Sequence, residues 1–156
     1  MARNDIVIDA PPAVVFETLM DADAYAQWIV GARQVRSTDR AWPRPGTRFH
    51  HRVGIGPLTL ADSTKLISTD PNRSIVLEVR ARPLGRARVK FDLRSKSRGR
   101  RTKVVMTERT TSGIWSLVPN PVERVLIHAR NAASLRRLRR VVASRAGAEQ
   151  VSRSGQ

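Results

Sequence analysis

Between about residue 46 and residue 112 the chain alternates apolar and polar side chains, which is typical of strands that bury one face. Strands that follow one another in this way form an antiparallel meander, and another element must cover its apolar face. The long amphipathic segment left for that role runs from Pro121 to about Ser144. The pattern therefore predicts an α+β fold in which a twisted antiparallel sheet wraps around a long C-terminal α-helix.

The N-terminal segment predicts one short strand and two short helices. The strand is NDIVIDA, and Pro12 stands at a favourable first position of the first helix. The second helix, ADAYAQWI, is capped by Asp21 or Asp23 and ends at Trp28. At the other end of the chain, residues 146–156 are polar, and we expect a disordered tail there. The predicted domain therefore spans residues 1–145.

The composition excludes several kinds of site. The chain has no cysteine, which removes disulfides and thiolate metal sites. His50 and His51 are adjacent in one strand and therefore point to opposite faces, so no metal site is predicted. Dinucleotide-binding and phosphate-binding glycine motifs are missing as well, and no cofactor is predicted. Without a signal peptide or an apolar run of about 18 residues, we expect a cytoplasmic protein with no transmembrane segment.

The net charge of +16 is concentrated in the strand region and the C-terminal helix. Residues 80–103 contain eleven basic side chains and one acidic side chain, mostly at outward positions of the predicted strands. A solvated face explains why charged side chains lie there, but glutamate would serve equally well at most of these positions. The excess of basic residues therefore leaves a second function open, that of a basic binding module for the ribosome, nucleic acid or an acidic membrane. Binding of this kind would be weak and sensitive to salt.

The segment LRRLRR in the C-terminal helix has a simpler explanation. Leu135 and Leu138 continue the apolar stripe of the helix, and the arginines fill the rest of its circumference. Arginine is a good helix former and can lay its apolar stem over neighbouring surface. We therefore interpret these arginines as the solvent-exposed side of a helix packed on one face.

Four stretches carry a resemblance to a known family. They are VIDAPPAVVFETLMDADAYAQWI, STDPNRSIVLEVRA, RRTKVVMTERTTSG and NPVERVLIHARNAASLRRL. These stretches resemble the START-like (SRPBCC) superfamily, and within it the polyketide cyclase/dehydrase and lipid-transport group. The resemblance implies the helix-grip fold. It also implies that the chain binds a hydrophobic small molecule, of lipid, polyketide or aromatic type.

We expect the ligand cavity to lie between the sheet and the C-terminal helix. Its predicted lining combines inward-facing strand positions with aromatic residues at the ends of elements and one histidine of the helix. Those residues are Trp28, Phe49, His51, Leu60, Leu77, Val79, Val89, Phe91, Met106, Glu108, Trp115 and His128. The tryptophans either stack on a ligand or close the core.

Glu108, Asp62 and His51 are the candidate catalytic residues, because they are polar residues on inward faces. A carboxylate in an apolar cavity has a raised pKa and can act as a general acid or base. Glu108 with Asp62 or His51 would form such a pair for a cyclase or dehydratase reaction on a polyketide-like carbonyl compound. The structural alternatives are an ion pair between Glu108 and an arginine, and a hydrogen bond from the backbone to Asp62. The sequence leaves open whether the protein is an enzyme.

Overall fold

The computed structural model describes residues 1–55, 57–81, 85–113 and 120–154. Within these ranges the strands and helices follow the predicted order, with one additional strand, Ala32–Thr38, before the predicted strand region. They are β1 Ala2–Ile8, α1 Pro12–Met20, α2 Tyr25–Trp28, β2 Ala32–Thr38, β3 Arg48–Ile55, β4 Leu58–Asp70, β5 Ser74–Ala81, β6 Gly85–Lys96, β7 Arg101–Ser112 and α3 Asn120–Ser154.

The strands form one antiparallel sheet in the order β1-β7-β6-β5-β4-β3-β2. Each of β2 to β6 pairs with the strand that follows it in the chain, and the N-terminal strand β1 adds to the edge beside β7. With the long helix α3 packed on this sheet, the predicted α+β helix-grip fold is confirmed. No helix in the described part of the chain is long and apolar enough to cross a membrane.

The core lies between the inward face of the sheet and the helices. Phe91 and Met106 are directly opposite each other on β6 and β7 and are buried, as are Leu135, Leu138 and Val142 of α3. Burial of these side chains removes apolar surface from water, which is the main favourable term in folding. The C-terminal half of the predicted apolar stripe of α3 is therefore confirmed.

The N-terminal half of α3 presents a different face from the one that its apolar residues suggest. Val122 and Val125 are 51% and 66% exposed, whereas Asn131 and Ser134 are buried. These two polar side chains are tolerated because both have partners. Asn131 donates to a carboxylate of the sheet, and the Ser134 hydroxyl accepts a 3.0 Å hydrogen bond from the Val30 N–H. Both lie on one continuous face with the buried Ile127, Leu138 and Val142, and their hydrogen bonds contribute to fixing the rotation of the helix.

The helix also continues beyond the predicted domain end. α3 extends to Ser154, whereas the sequence predicts a disordered tail from Ala146. The segment AGAEQ contains good helix formers, and extending a helix that already exists needs no new nucleation step. Residues 147–153 are exposed, so packing does not hold them. The domain limit near residue 145 stays a prediction.

Asp21 organises the turn between α1 and α2. Its Oδ1 atom accepts hydrogen bonds from the backbone N–H groups of Asp23, at 2.9 Å, and Ala24, at 3.3 Å. Its Oδ2 atom is paired with the Arg145 guanidinium of α3. Of the two predicted capping residues, Asp21 is therefore the one whose side chain binds the backbone before α2.

Candidate functional site

Three buried polar side chains form a connected group on the inward face, called here the Tyr25 cluster: Tyr25, His51 and Thr64. The Nε2 atom of His51 is 2.9 Å from Thr64 Oγ1, and the Thr64 hydroxyl donates to the Tyr25 hydroxyl at 3.4 Å. The Tyr25 ring stacks on the His51 ring with centroids 5.1 Å apart. The short helix α2 therefore closes over β3 and β4 through polar as well as apolar contacts.

Strand register explains why these groups meet. In the antiparallel pair of β3 and β4, His51 is directly opposite Asp62 and Phe49 is opposite Thr64. Directly opposed residues place their side chains on the same face. Asp62 is 6% exposed, and its Oδ1 atom accepts a 2.7 Å hydrogen bond from the Ser63 N–H. The inward orientation predicted for His51 and Asp62 is thus observed, as is the hydrogen bond from the backbone to Asp62.

A second group, the Glu108 cluster, consists of Glu108 on β7 with Arg130 and Asn131 on α3. One carboxylate oxygen of Glu108 accepts a hydrogen bond from Asn131 Nδ2 at 2.9 Å and another from the Arg130 guanidinium. The Glu108 side chain is 4% exposed and the Arg130 side chain 43%, so the ion pair reaches from the interior to the surface. The predicted ion pair with an arginine is observed. The Glu108 carboxylate is therefore not isolated among apolar side chains.

Electrostatic interactions connect the two clusters. Burial raises the pKa of the Tyr25 phenol to about 12, opposed by the Thr64 hydrogen bond and by the charge of Arg130. The charges of Glu108 and Asp62 raise the pKa of the phenol further. Tyr25 is thus neutral at physiological pH.

His51 is the other group in this region whose titration the fold changes. Burial, and to a smaller extent the neighbouring His50, lowers the pKa of the His51 imidazole to about 4. The ring is therefore neutral at pH 7 and can donate from one nitrogen and accept at the other. Its Nδ1 atom is buried without a hydrogen-bond partner among the described residues. This nitrogen is therefore an unused hydrogen-bond acceptor in the interior of the described part of the chain.

The inward face is buried at one end and open at the other. Leu66 and Thr64 of β4 are fully buried, but Leu60 and Leu58, farther along the same face, are 48% and 79% exposed. Val53 opposes Leu60 across β3 and β4, and Val79 and Ala87 form a similar half-buried pair across β5 and β6. We call the set of Leu58, Leu60, Val53, Val79 and Ala87 the open shelf. It adjoins Asp62 along β4.

The remaining predicted site residues differ in position. Five of them belong to the buried core: Phe49, Leu77, Val89, Phe91 and Met106. Trp28 is fully buried, with edge-to-face contacts to the Tyr25 and Phe91 rings. It therefore closes the core, which is one of its two predicted roles. Trp115 lies outside the described residues.

His128 is not buried. Its side chain is exposed on α3, and its backbone carbonyl accepts a 3.0 Å hydrogen bond from Asn4 of β1. Spacing along the helix places His128 on the same side as Asn131 and Leu135, three and seven residues further on, yet only those two are buried. His128 is predicted to line the cavity, but its exposed side chain does not support this role.

Sequence reasoning did not single out Arg130, Asn131 or Thr64. Asn131 could have been found, because it lies four residues after the buried Ile127 and four before Leu135. An asparagine at this spacing within an apolar stripe needs a buried partner. Nothing comparable in the sequence marks Arg130, which differs from the other arginines of α3 only through its contact with Glu108.

A separate open cleft of about 380 Å³ lies beside α1, away from the sheet–helix interface. It is lined by Phe16, Glu17, Met20, Asp21, Pro43, Thr69 and Pro71. None of these residues belongs to the Tyr25 cluster, the Glu108 cluster or the open shelf. In the described ranges, no three His, Asp or Glu side chains lie together as ligands for a metal ion.

Solved structures with the same fold are numerous and distant in sequence. The aromatase/cyclase ZhuI from Streptomyces sp. R1128 is 17% identical, with a TM-score of 0.68 over 92% of this chain and 93% of that protein. An uncharacterised protein from Bacillus thuringiensis is 12% identical, with a TM-score of 0.70 over 90% and 97% of the two chains. DynU16 of the dynemicin biosynthetic locus is 17% identical, with a TM-score of 0.66 over 91% of this chain and 46% of its own.

These likenesses concern the fold alone at such low identity. No curated protein matches the chain in sequence. A family model does match, over residues 2–143, and it describes polyketide cyclase/dehydrase and lipid transport proteins. The match covers every strand and both short helices, as well as most of the long one. The chain belongs to the polyketide cyclase/dehydrase and lipid transport family.

Proposed function

We propose that the protein binds a hydrophobic small molecule of lipid, polyketide or aromatic type on the inward face of the sheet. The apolar body of the ligand lies on the open shelf, and its polar end faces the Tyr25 and Glu108 clusters. The observation that carries the proposal is the exposure of Leu58 and Leu60 on a face that is otherwise buried. Family membership supports the same class of ligand.

The physical argument concerns apolar surface. Two leucines exposed side by side on the concave side of a sheet leave apolar area in water, and a ligand that covers them removes it. Complete burial of one leucine side chain contributes about 1.5 to 3 kcal/mol. Leu60 is 48% exposed, so covering the rest of it would contribute about half of this energy and change the dissociation constant about three- to tenfold.

The polar groups restrict the other end of the ligand. Tyr25 and His51 are neutral at physiological pH, which favours a neutral hydroxyl or carbonyl group over a charged one. His51 Nδ1 offers an acceptor to a hydroxyl, and the half-exposed Arg130 offers donors to a carbonyl oxygen. A molecule with a large apolar part and a few oxygen atoms fits these groups.

Binding is tested with native mass spectrometry and with a neutral hydrophobic dye. Native mass spectrometry of protein from its own host should show a co-purified apolar molecule. Titration with Nile red should give about three- to tenfold weaker binding for Leu60→Gln than for the wild type. Val151→Gln is the matched control, because Val151 is an exposed apolar residue near the far end of α3. Equal affinities for the wild type and Leu60→Gln would disprove the proposed site.

A second proposal, which has less support than ligand binding, is that the protein catalyses a cyclase or dehydratase reaction. Glu108, the first candidate base, is held by Arg130 and Asn131, which agrees with its structural interpretation. His51 and Asp62 do share one face as an opposed pair, and this arrangement supports a proton-transfer role. Turnover of a polyketide-like carbonyl compound that is lost in both His51→Gln and Asp62→Asn would favour the enzyme.

A further inference from the structure

The outward face of the sheet places basic side chains directly opposite one another. Register brings together five pairs of like charge on neighbouring strands, and these ten residues are called here the outer basic face. The pairs are Arg48 with Lys65, Arg80 with Arg86, Arg88 with Arg109, Arg94 with Lys103, and Lys96 with Arg101. Like charges directly opposed across strands destabilise a sheet. Solvation alone does not require this arrangement.

Acidic side chains neutralise only part of this charge. Lys90 pairs with Asp92 at 2.8 Å, and Lys103 pairs with Asp5 at 3.1 Å. Arg101 contacts Asp9 at 2.5 Å, where the Asp9 side chain is 80% exposed. Exposed ion pairs of this kind are weak and easily exchanged for another anion. The face as a whole keeps a strong positive potential.

The basic side chains follow a line along β6. Residues 86, 88, 90, 94 and 96 of this strand are basic and exposed on the outward face. The ten residues from Arg86 to Lys96 span about 34 Å at a strand rise of about 3.4 Å per residue. One turn of a nucleic-acid duplex has nearly the same length, about 34 to 36 Å. A duplex that lies along this row would therefore present about one helical turn of its phosphates to it.

The composition of the face favours nucleic acid over a lipid bilayer. The exposed large apolar residues of the described chain are Met1, Leu58, Leu60, Val122, Val125, Leu126 and Val151, and none of them lies on the outward face of a strand. Surfaces that bind membranes usually combine basic residues with apolar residues that insert. The outer basic face also contains no aromatic side chain that could stack on unpaired bases, which favours a duplex over a single strand.

We propose that the outer basic face binds the phosphate backbone of double-stranded nucleic acid without sequence preference. This interaction is independent of the ligand proposed for the inward face, because the two sets of side chains lie on opposite sides of one sheet. Contacts to phosphate alone carry no sequence information and depend steeply on salt. We expect a dissociation constant between about 1 and 100 µM at about 0.15 M salt.

Two variants with the same loss of charge separate this face from net charge. The first carries Arg86→Gln, Arg88→Gln, Arg94→Gln and Lys96→Gln, and the control carries Arg136→Gln, Arg137→Gln, Arg139→Gln and Arg140→Gln on the exposed side of α3. Fluorescence anisotropy with duplex DNA and duplex RNA of about two helical turns measures binding. The first variant should bind at least tenfold more weakly than the control. The salt dependence of binding, the slope of log K against log salt concentration, should be smaller in the first variant by about 3.6, which is about 0.9 for each lost contact.

Three outcomes would overturn the proposal. They are equal losses in the two variants, no binding by the wild type at about 0.15 M salt, and binding to anionic vesicles through these residues with none to the duplexes. Should the first variant fail to fold, amide chemical shifts of the wild-type protein decide the question. Duplex should then shift resonances of β6 and β7, and shifts confined to α3 would contradict the proposal.

Discussion

His51 shows how one side chain can make the stability of the fold depend on pH. Its ring is fully buried, and its pKa is lowered from 6.5 to about 4, mainly by burial. A depressed pKa means that the folded state resists protonation. The stabilisation is complete above pH 6.5, the ordinary value, and is lost as the pH falls through about 4.

We therefore predict that His51 lowers the free energy of unfolding of the wild type by on the order of 2 to 3 kcal/mol between neutral pH and pH 4. His51→Gln, which cannot take up a proton, should show a flatter dependence. Urea denaturation at a series of pH values measures this difference. His50→Gln, on the outward side of the same strand, is the control and should keep most of the slope. Identical slopes for His51→Gln and the wild type would contradict the argument.

Glu108 is the other residue whose position suggests a specific test. Glu108→Gln keeps the shape of the side chain but removes the charge that faces Arg130. A buried pair that loses one charge leaves the other without compensation, although Arg130 reaches solvent and can be rehydrated. We expect a loss of about 1 to 2 kcal/mol in stability and a changed affinity for the hydrophobic ligand, with the fold intact. Calorimetry measures the change in stability, and dye titration from about pH 5 to 9 measures the change in affinity. Unchanged binding over that range would remove Glu108 from the ligand site.

At the scale of elements, α3 is held at two separate places. Its N-terminal half contacts β7 through the Glu108 cluster, and farther along Arg145 pairs with Asp21 of the α1–α2 turn. Burial alone would raise the pKa of Asp21. Hydrogen bonds from Arg145 and from the backbone of Ala24 and Asp23 outweigh that effect and lower it.

Arg145→Gln should therefore cost about 0.5 to 1 kcal/mol at neutral pH, since both side chains are one third exposed and water screens the pair. Asp21 has a lowered pKa, so its contribution is present above 3.8 and disappears as the pH falls below that value. The wild type and the variant should thus converge in stability in acid. Arg140→Gln, exposed on the same helix, should leave stability unchanged. A difference that persists undiminished at about pH 2 would argue against this ion pair.

For the whole molecule, the charge of +16 and the five opposed basic pairs make repulsion a general cost. Added salt screens charges on exposed faces, so the melting temperature should rise between about 0.02 and 0.3 M sodium chloride. The variant with four glutamines on β6 should melt higher than the wild type at low salt and respond less to salt. Differential scanning calorimetry measures both effects. A melting temperature that falls with salt in the wild type would show that attractive pairs dominate.

The sequence alone determined which side of each strand is buried. Alternation placed Glu108, Asp62 and His51 on inward faces and the basic side chains of β6 on the outward face, as observed. The reason is geometric, because successive side chains of a strand point to opposite sides whatever the strand packs against. The same local reasoning gave the meander and the single long helix.

Only the tertiary structure decided which side chains in the N-terminal half of α3 are buried. The apolar residues Val122 and Val125 suggested one face for its N-terminal half, but Asn131 and Ser134 are buried instead. Their partners, Glu108 and the backbone of Val30, lie 23 and 104 residues away in the chain. Periodicity within a helix contains no information about a carboxylate on a distant strand. The hydrogen bonds that orient the helix, and with it Arg130, therefore exist only once the sheet has formed.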